Sequence, residues 1–459
     1  MTYFFETYGC QMNIAESASI EQLFISRGWE KSEYAEYADI VVINTCSVRA
    51  TAENRIFGRL GWYAGLKAVR ACHPEAKNKS LEKAAEYVKD GAKPLTLVVT
   101  GCMAERLLES LKKDHPFIDY VVGTYAKKNF GKIIDEVEGK LDPTLIDDSE
   151  KYKFAAVSYE PGSFSSYVPI MHGCNNFCSY CIVPYVRGRE TSRSVDEIIS
   201  EIDVLSKYNV REICLLGQNV NSYNYNGVDF AELLKRIENR IKETGSSIGW
   251  VRFMSSHPKD LSDSVIDVIS KSKIICHHIH LPVQHGSSRI LSEMNRKYTR
   301  EQYLETIAKI KKAIPDVSLT TDIMMGFPGE TDEDVEETLS LMKEVRYENA
   351  FMYYYNVREG TPAAKMKNQI PVKIRKERLQ KVIDLQLKIT ASEMEKRKGS
   401  VEKVLVESVS RDNKEELLGK TERDERVAFK ASKELIGKFA TVKINELSGN
   451  TFRGSLFEK

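Results

Sequence analysis

Nowhere does this 459-residue chain approach the about 18 consecutive apolar residues that a membrane-crossing helix needs, so a transmembrane helix is not expected. The opening MTYFFETYGC has neither the basic flank nor the apolar run of a secretory leader, which argues for a cytoplasmic protein with no membrane attachment. Net charge is also nearly absent. Lys and Arg number 67 against 66 Asp and Glu, a formal +1, so no global field advertises nucleic acid and any RNA-binding surface must be local. There is no internal repeat and no long low-complexity tract. What remains is a long chain of ordinary composition, too long for one core, which implies two to four domains. Nine cysteines are present. An odd count without an export signal points to metal ligands or buried thiols rather than disulfides.

The densest chemistry lies in Met171 to Arg193, MHGCNNFCSYCIVPYVRGRETSR. Cys174, Cys178 and Cys181 are spaced C-x3-C-x2-C. Three thiolates this close can take three corners of a [4Fe–4S] cubane. The fourth iron is left for a ligand that is not protein, as catalytic zinc sites keep a position open. Phe177 and Tyr180 lie between the ligands and can shield a cluster from water. The alternatives are chance spacing, which the flanking sequence argues against, and zinc, which prefers four ligands and C-x2-C pairs.

Residues 1–150 alternate strand-like and helix-like patterns. Thr2 to Thr7, Ile40 to Asn44 (IVVIN) and Leu95 to Thr100 (LTLVVT) read as strands, and Glu16 to Arg27 as a helix. This predicts a parallel sheet covered by helices, with sites at the carboxyl ends of its strands. A cysteine stands at three such ends: Cys10 in TYGCQMN, Cys46 in INTCSVR and Cys102 in VTGCMAER. Each alone reads as a buried thiol, a common fate of free cysteine. Together they favour a second three-cysteine cluster. Cys72, in the Ala-, Lys- and Glu-rich Lys67 to Lys93 stretch, reads as incidental, and His73 is a weak metal candidate at most.

Residues 151–166 read as a linker. Over 167–395 strands and helices alternate again in five or six units, which implies a full or partial α/β barrel whose active face is the rim after each strand. Gln218, Gly326, Gly329 and Glu330 on that rim are the candidate cofactor-binding residues, the last three within GFPGE, where a tight turn lets backbone approach a ligand. Asn219 is a further hydrogen-bonding candidate. Arg187, Arg189 and Arg193 can meet a carboxylate or phosphate. His278 and His280 share a strand face, His285 follows a strand end as the better site candidate, and Cys214 and Cys276 read as core. No catalytic residue is assigned beyond the cluster ligands. Residues 396–459 change to short alternating strands punctuated by Gly419, Gly437, Gly449 and Gly454, the pattern of a small antiparallel barrel. Their charge is roughly +4, a weak hint of RNA. Phe429, Phe439, Phe452 and Phe457 are available to stack bases, although most are expected to fill the core.

The C-x3-C-x2-C run after a strand resembles the radical S-adenosylmethionine (radical SAM) signature. The whole chain resembles the radical SAM methylthiotransferases, which join an N-terminal three-cysteine domain, a radical SAM barrel and a C-terminal TRAM barrel. NTCSVR, LLGQNVNSY, SSHP, LPVQHGSSRIL and MNRKYT look like the MiaB type; His285 in QHGS departs from a commoner QSGS. The resemblance implies that Cys10, Cys46 and Cys102 hold an auxiliary [4Fe–4S] cluster carrying the transferable sulfur. It implies that Cys174, Cys178 and Cys181 hold the cluster that binds and cleaves SAM. The implied reaction is 2-methylthiolation of N6-isopentenyladenosine (dimethylallyladenosine) at position 37 in the tRNA anticodon loop. It consumes one SAM as methyl donor and one as source of a 5′-deoxyadenosyl radical that removes the C2 hydrogen. The implied partners are tRNA, an electron donor of flavodoxin or ferredoxin type, and Fe–S assembly or carrier proteins. The same chemistry on threonylcarbamoyl-adenosine or a ribosomal-protein aspartate is the rival within the family. A non-catalytic iron–sulfur RNA-binding module is the rival outside it.

Overall fold

The computed structural model describes residues 1–47, 50–71, 94–140 and 152–457. The chain forms two compact units. The first comprises Met1–Pro161, Tyr167–Asn175 and Ile182–Thr191; the second comprises Gly162–Ser166, Asn176–Cys181 and Ser192–Lys459.

The first unit is built on a five-stranded parallel sheet in the order Glu30–Lys31, Thr2–Thr7, Ile40–Thr45, Thr96–Gly101, Tyr120–Val122. Ile40–Thr45 is buried at every position. A near-continuous apolar run is what a central parallel strand needs, because both faces are covered. Alternation along the strand divides the core. Val41 and Ile43 pack with Ile56, Leu60 and Tyr63 of the helix Ala50–Arg70. Ile40 and Val42 pack on the opposite face with Phe24, Phe130, Ile133 and Ile134. The carboxyl ends of the strands therefore form one edge, and the chain leaves that edge at Cys10, Cys46 and Cys102.

In the second unit, parallel strands alternate with helices. Glu212–Leu216 pairs with Trp250–Phe253, and His278–His280, Ser318–Met325 and Asn349–Tyr354 form a further parallel sheet. A parallel bridge between Val251 and Ile275 connects the two, giving the partial α/β barrel expected. The covering helices start where the sequence supplies caps. Ser194, Asp229 and Ser262 each accept a backbone N–H from the first turn, and Thr299 and Thr331 close full capping boxes with Gln302 and Asp334.

The C-terminal strands close a five-stranded barrel in the order Val401–Val409, Glu416–Thr421, Arg426–Lys430, Thr451–Leu456, Phe439–Ser448. Val404, Val406, Leu417, Val427, Val442 and Ile444 fill it together with Phe429 and Phe452. Phe439 instead packs edge-on against Trp250, and only Phe457 of the four phenylalanines is substantially exposed. Sequence patterning separates this barrel from the α/β region, whereas compactness groups the two in one unit. Polar groups fasten them. Arg252 Nε lies 2.7 Å from Glu212, and its other nitrogens donate to the carbonyls of Thr421 (2.7 Å) and Glu422 (2.6 Å). Lys420 reaches Glu212 at 2.7 Å. Further ion pairs involve barrel cations: Arg423 pairs with Glu348 outside the barrel, Arg453 with Glu416 and Lys430 with Glu415 within it. Among the described residues no helix is long and apolar enough to cross a membrane.

Candidate cluster and cofactor sites

Cys10 precedes the helix Gln11–Ser26, Cys46 follows Ile40–Thr45, and Cys102 opens the short helix Cys102–Arg106. Two glycines let these turns close on each other. Gly9 has φ +127°, and a Cβ there would stand 2.5 Å from the Cys46 Cβ. Gly101 has φ +99°, and a Cβ there would stand 2.3 Å from the Thr45 carbonyl oxygen. Both conformations are strained for any residue with a side chain. Asn13, one turn into the first helix, ties the turns together through its amide, which donates to the carbonyls of Tyr8 (3.0 Å) and Thr45 (2.9 Å). The Asn44 amide returns a bond of 3.0 Å to the Asn13 carbonyl. Three cysteines far apart in sequence thus share one corner of the sheet edge, and the described cysteines are all free thiols.

A buried charge network adjoins that corner. Arg187 Nε lies 3.1 Å from the Cys102 sulfur. Its terminal nitrogens reach both carboxylate oxygens of Glu16 at 2.8 and 3.3 Å, the Asn13 side-chain oxygen at 3.2 Å and His172 Nδ1 at 3.4 Å. Lys127 also pairs with Glu16. Burial alone would raise the Glu16 carboxyl, but Arg187 and Lys127 outweigh it and hold it down at about 2. Burial pushes the Cys102 thiol up, against the pull of Arg187. Ile182 and Val186, on the same segment as Arg187, pack on Cys102.

Cys174 belongs to the first unit, where its N–H donates to the Gly188 carbonyl at 3.0 Å. Cys178 and Cys181 belong to the second, where the Cys181 N–H donates to the Cys178 carbonyl at 2.9 Å. Arg296 stands 3.4 Å from the Cys178 sulfur and is held by the Pro282 carbonyl (2.7 Å) and the Tyr298 hydroxyl (3.0 Å). The Tyr298 ring meets His257 edge-on at 5.6 Å. The Lys259 N–H donates to His257 Nδ1 at 3.4 Å, which puts the ring proton on Nε2. Burial, Arg296 and Lys259 together lower the His257 pKa to about 2, so the ring is neutral.

Several rim atoms are buried and without a hydrogen-bond partner among the described residues: Gln218 Oε1, Asn221 Nδ2, His257 Nε2 and Gln284 Oε1. All four follow strand ends of the α/β barrel. Buried polar groups in native proteins are normally satisfied, so a cluster of unsatisfied ones fits a polar ligand. Glu330 has a different use. Its Oε2 accepts the Gly326 N–H at 2.7 Å and meets His285 Nε2 at 3.1 Å, while its Oε1 meets Arg378 at 3.0 Å. Gly329 donates to the Asn368 carbonyl at 2.9 Å, and Gly326 packs against Arg375. These bonds hold the GFPGE turn in shape.

His285 is wholly buried in this hydrogen-bond network, so its departure from serine has a structural use. His278 and His280 both meet the Thr320 hydroxyl, at 3.1 and 3.0 Å. Arg193 is buried against Glu201, Asn219 bonds Asp260 at 2.7 Å, Arg189 is exposed, and Cys214 and Cys276 are core. Cys72 and His73 lie outside the described residues. Among the described residues no three Cys, His, Asp or Glu side chains converge as ligands of a single metal ion would. A cubane spreads its thiolates over different irons, so its ligands need no common point. The sequence does not by itself assign roles to Asn13, Glu16, Lys127, His257, Arg296 or Tyr298. His257 lies in SSHP and Arg296 and Tyr298 in MNRKYT, motifs that mark the resemblance without assigning these roles, and Asn13 and Glu16 are polar residues at i, i+3 on the helix immediately after Cys10.

Comparison with known proteins decides the family. The Radical SAM superfamily model matches residues 168–342, the TRAM domain model residues 395–457, and the model named Uncharacterized protein family UPF0004 residues 2–123. A tRNA-2-methylthio-N(6)-dimethylallyladenosine synthase of Treponema pallidum subsp. pallidum is 50% identical over 477 residues, covering 100% of this chain and 99% of the relative. One of the same name from Treponema denticola is 50% identical, covering 99% of this chain and 100% of the relative. The chain belongs to this synthase family. Relatives of this name, together with this chain's radical SAM and TRAM matches, agree with the MiaB-type resemblance in NTCSVR, LLGQNVNSY and SSHP. For the fold, the Kitasatospora setae radical SAM methyltransferase TsrM, solved with cobalamin and a [4Fe–4S] cluster, superposes with a TM-score of 0.57. That match has 13% identity and covers 79% of this chain and 77% of that one.

Proposed function

We propose that this chain attaches a methylthio group to C2 of N6-dimethylallyladenosine at position 37 of tRNA. The observation that carries this reading is the meeting of Cys10, Cys46 and Cys102 at one sheet edge, in a chain that also has the C-x3-C-x2-C run. A radical SAM enzyme needs only the second set to generate a radical. A first set of the same size provides for a sulfur-bearing cluster.

When bound, two SAM molecules and two [4Fe–4S] clusters supply the methyl group, the hydrogen-abstracting radical and the sulfur. Cys174, Cys178 and Cys181 hold one cluster, and Cys10, Cys46 and Cys102 hold the other. Gln218 and Gln284 offer buried acceptor atoms, and His257 and Asn221 offer donors, to SAM and to the target base. Gly326 and Gly329 shape the turn on the cofactor side of the rim, and Glu330 holds that turn through the Gly326 N–H. The neutral state of His257 lets it donate a hydrogen bond without bringing a second cation beside Arg296. The C2–H of adenine is not acidic enough for ordinary base catalysis, so a radical route suits the target. Position 37 lies in a loop, where an unpaired base leaves its stack at low cost and can enter the barrel mouth. The closed C-terminal barrel is the expected tRNA contact. Electrons come from a flavodoxin- or ferredoxin-type donor, and Fe–S carrier proteins rebuild the clusters; tRNA places the reaction in the cytoplasm.

The test uses Cys102→Ala with SAM, a reductant and tRNA bearing dimethylallyladenosine. The expected result is continued SAM cleavage to 5′-deoxyadenosine with no methylthio product. Normal methylthio-tRNA from this variant would overturn the reading.

A further inference from the structure

Arg187 belongs by sequence to the segment after the C-x3-C-x2-C cysteines, yet its guanidinium is spent on the other cysteine set. It is 2% exposed, and its Nε–H points at the Cys102 sulfur from 3.1 Å. The orientation is enforced. Glu16 takes both terminal nitrogens, Asn13 takes one from the side, and His172 takes the other on its Nδ1. The His172 ring is itself clamped, stacked on Tyr152 at 3.5 Å and meeting Tyr125 edge-on. Glu16 and Asn13 lie on the helix that Cys10 precedes, so the support of the guanidinium and one candidate ligand share one rigid element. Lys127 adds a second cation against a single carboxylate, Glu16.

A buried charged side chain with this many fixed partners is an expensive feature to keep for packing alone. Charge and hydrogen bonding at a cluster's cysteine sulfurs are principal levers on its reduction potential. The oxidised and reduced forms differ by one negative charge, and a nearby cation favours the more negative form.

We propose that Arg187 is a positioning residue of the auxiliary cluster: its guanidinium, aimed at Cys102 by Glu16 and Asn13, raises that cluster's reduction potential. This rests on the assignment of Cys10, Cys46 and Cys102 as ligands made above. The sign follows from the network. Removing the guanidinium charge lowers the potential. Removing the carboxylate that partly cancels it raises the potential. A purely structural role would make both changes act alike, through loss of cluster.

The experiment uses the full chain carrying Cys174→Ala, Cys178→Ala and Cys181→Ala, reconstituted anaerobically so that any cluster sits on the remaining set. Iron and sulfide are counted first, and then the potential is measured by dye-mediated titration followed by electron-spin resonance. Arg187→Gln, Arg187→Lys and Glu16→Gln are compared with this parent. The expected results are a lower potential for Arg187→Gln, a smaller drop for Arg187→Lys, which keeps the charge without the Nε–H contact, and a higher potential for Glu16→Gln. If Arg187→Gln does not hold a cluster, the Arg187→Lys and Glu16→Gln shifts, opposite in sign, carry the test. Equal potentials, or shifts of one sign for both residues, would overturn the role of Arg187 while leaving the cluster in place. Absence of iron from the parent would instead overturn the ligand assignment, and the proposal with it.

Discussion

His285 Nε2 lies 3.1 Å from a carboxylate oxygen of Glu330, and neither side chain touches solvent. The opposite face of the imidazole is occupied too, since Nδ1 accepts the Ser287 N–H at 3.0 Å. Glu330 in turn holds the Gly326 N–H. His285→Ala is therefore expected to destabilise the second unit by about 2–3 kcal/mol, from a lost buried hydrogen bond and an unfilled volume. Urea unfolding measures this. The same variant should bind SAM less tightly, because the turn that presents Gly326 loosens. A change within about 0.5 kcal/mol would show that Glu330 needs no histidine.

Arg252 joins the C-terminal barrel to the α/β sheet. Its removal leaves Glu212 with Lys420 and the Ser165 hydroxyl, and leaves the Thr421 and Glu422 carbonyls without this donor. Breaking a buried pair by deleting one partner costs about 3–5 kcal/mol. Arg252→Met should therefore expose the chain near residues 396–400 to limited proteolysis and release the barrel as a fragment. Unchanged cleavage kinetics would place the attachment in the Trp250–Phe439 packing instead.

How much of this was legible in sequence depended on whether the contact was local. The strand Ile40–Thr45 announces itself as an apolar run, and the Ser194 and Thr331 caps are short-range patterns of the same local kind. The placement of Cys10, Cys46 and Cys102 also followed, because a strand end is a local feature and a parallel sheet brings such ends to one edge. Spacing leaves Arg187 open to a carboxylate or a phosphate; that its partner is the Glu16 carboxylate, 171 residues earlier, cannot be read from it. GFPGE reads as a turn, and with it Glu330 as a ligand-facing residue. In the structure one of its oxygens holds the turn and the other meets Arg378 of the helix Val372–Glu395. Pattern identifies where a turn is, but not which of its atoms is already bonded.

Acid should destabilise the protein in two stages. His257 is held at about 2 in the folded state against an ordinary 6.5, so between those values the unfolded chain binds the proton and the folded chain does not. Stability from this group is complete above pH 6.5 and falls as pH drops, by about 2 kcal/mol at pH 5. Glu16, held at about 2 against 4.5, adds a second loss only below pH 4.5. Unfolding free energies at pH 7.5, 5 and 4 test the order. His257→Asn should flatten the stability change between pH 7.5 and 5, and an unaltered slope would remove His257 as its source.

Gly101→Ala puts a Cβ against the Thr45 carbonyl in a backbone conformation that alanine rarely adopts. The expected outcome is selective: iron falls by about half, SAM cleavage persists and methylthio product disappears. Gly28→Ala is the control, since it also has positive φ but a Cβ there meets nothing within 4 Å and it lies away from the cysteines. Equal iron in both variants would mean that the Gly101 turn does not shape the site.

The most direct test of the whole account is iron and sulfide content, with absorption and electron-spin spectra, on three reconstituted proteins. They are the parent, the Cys174/Cys178/Cys181→Ala variant and the Cys10/Cys46/Cys102→Ala variant. Two independent cubanes predict about eight irons in the parent and about four in each variant, with SAM perturbing the spectrum only where Cys174, Cys178 and Cys181 remain. About four irons in the parent and none in the first variant would contradict the account, leaving a radical SAM protein without its second cluster.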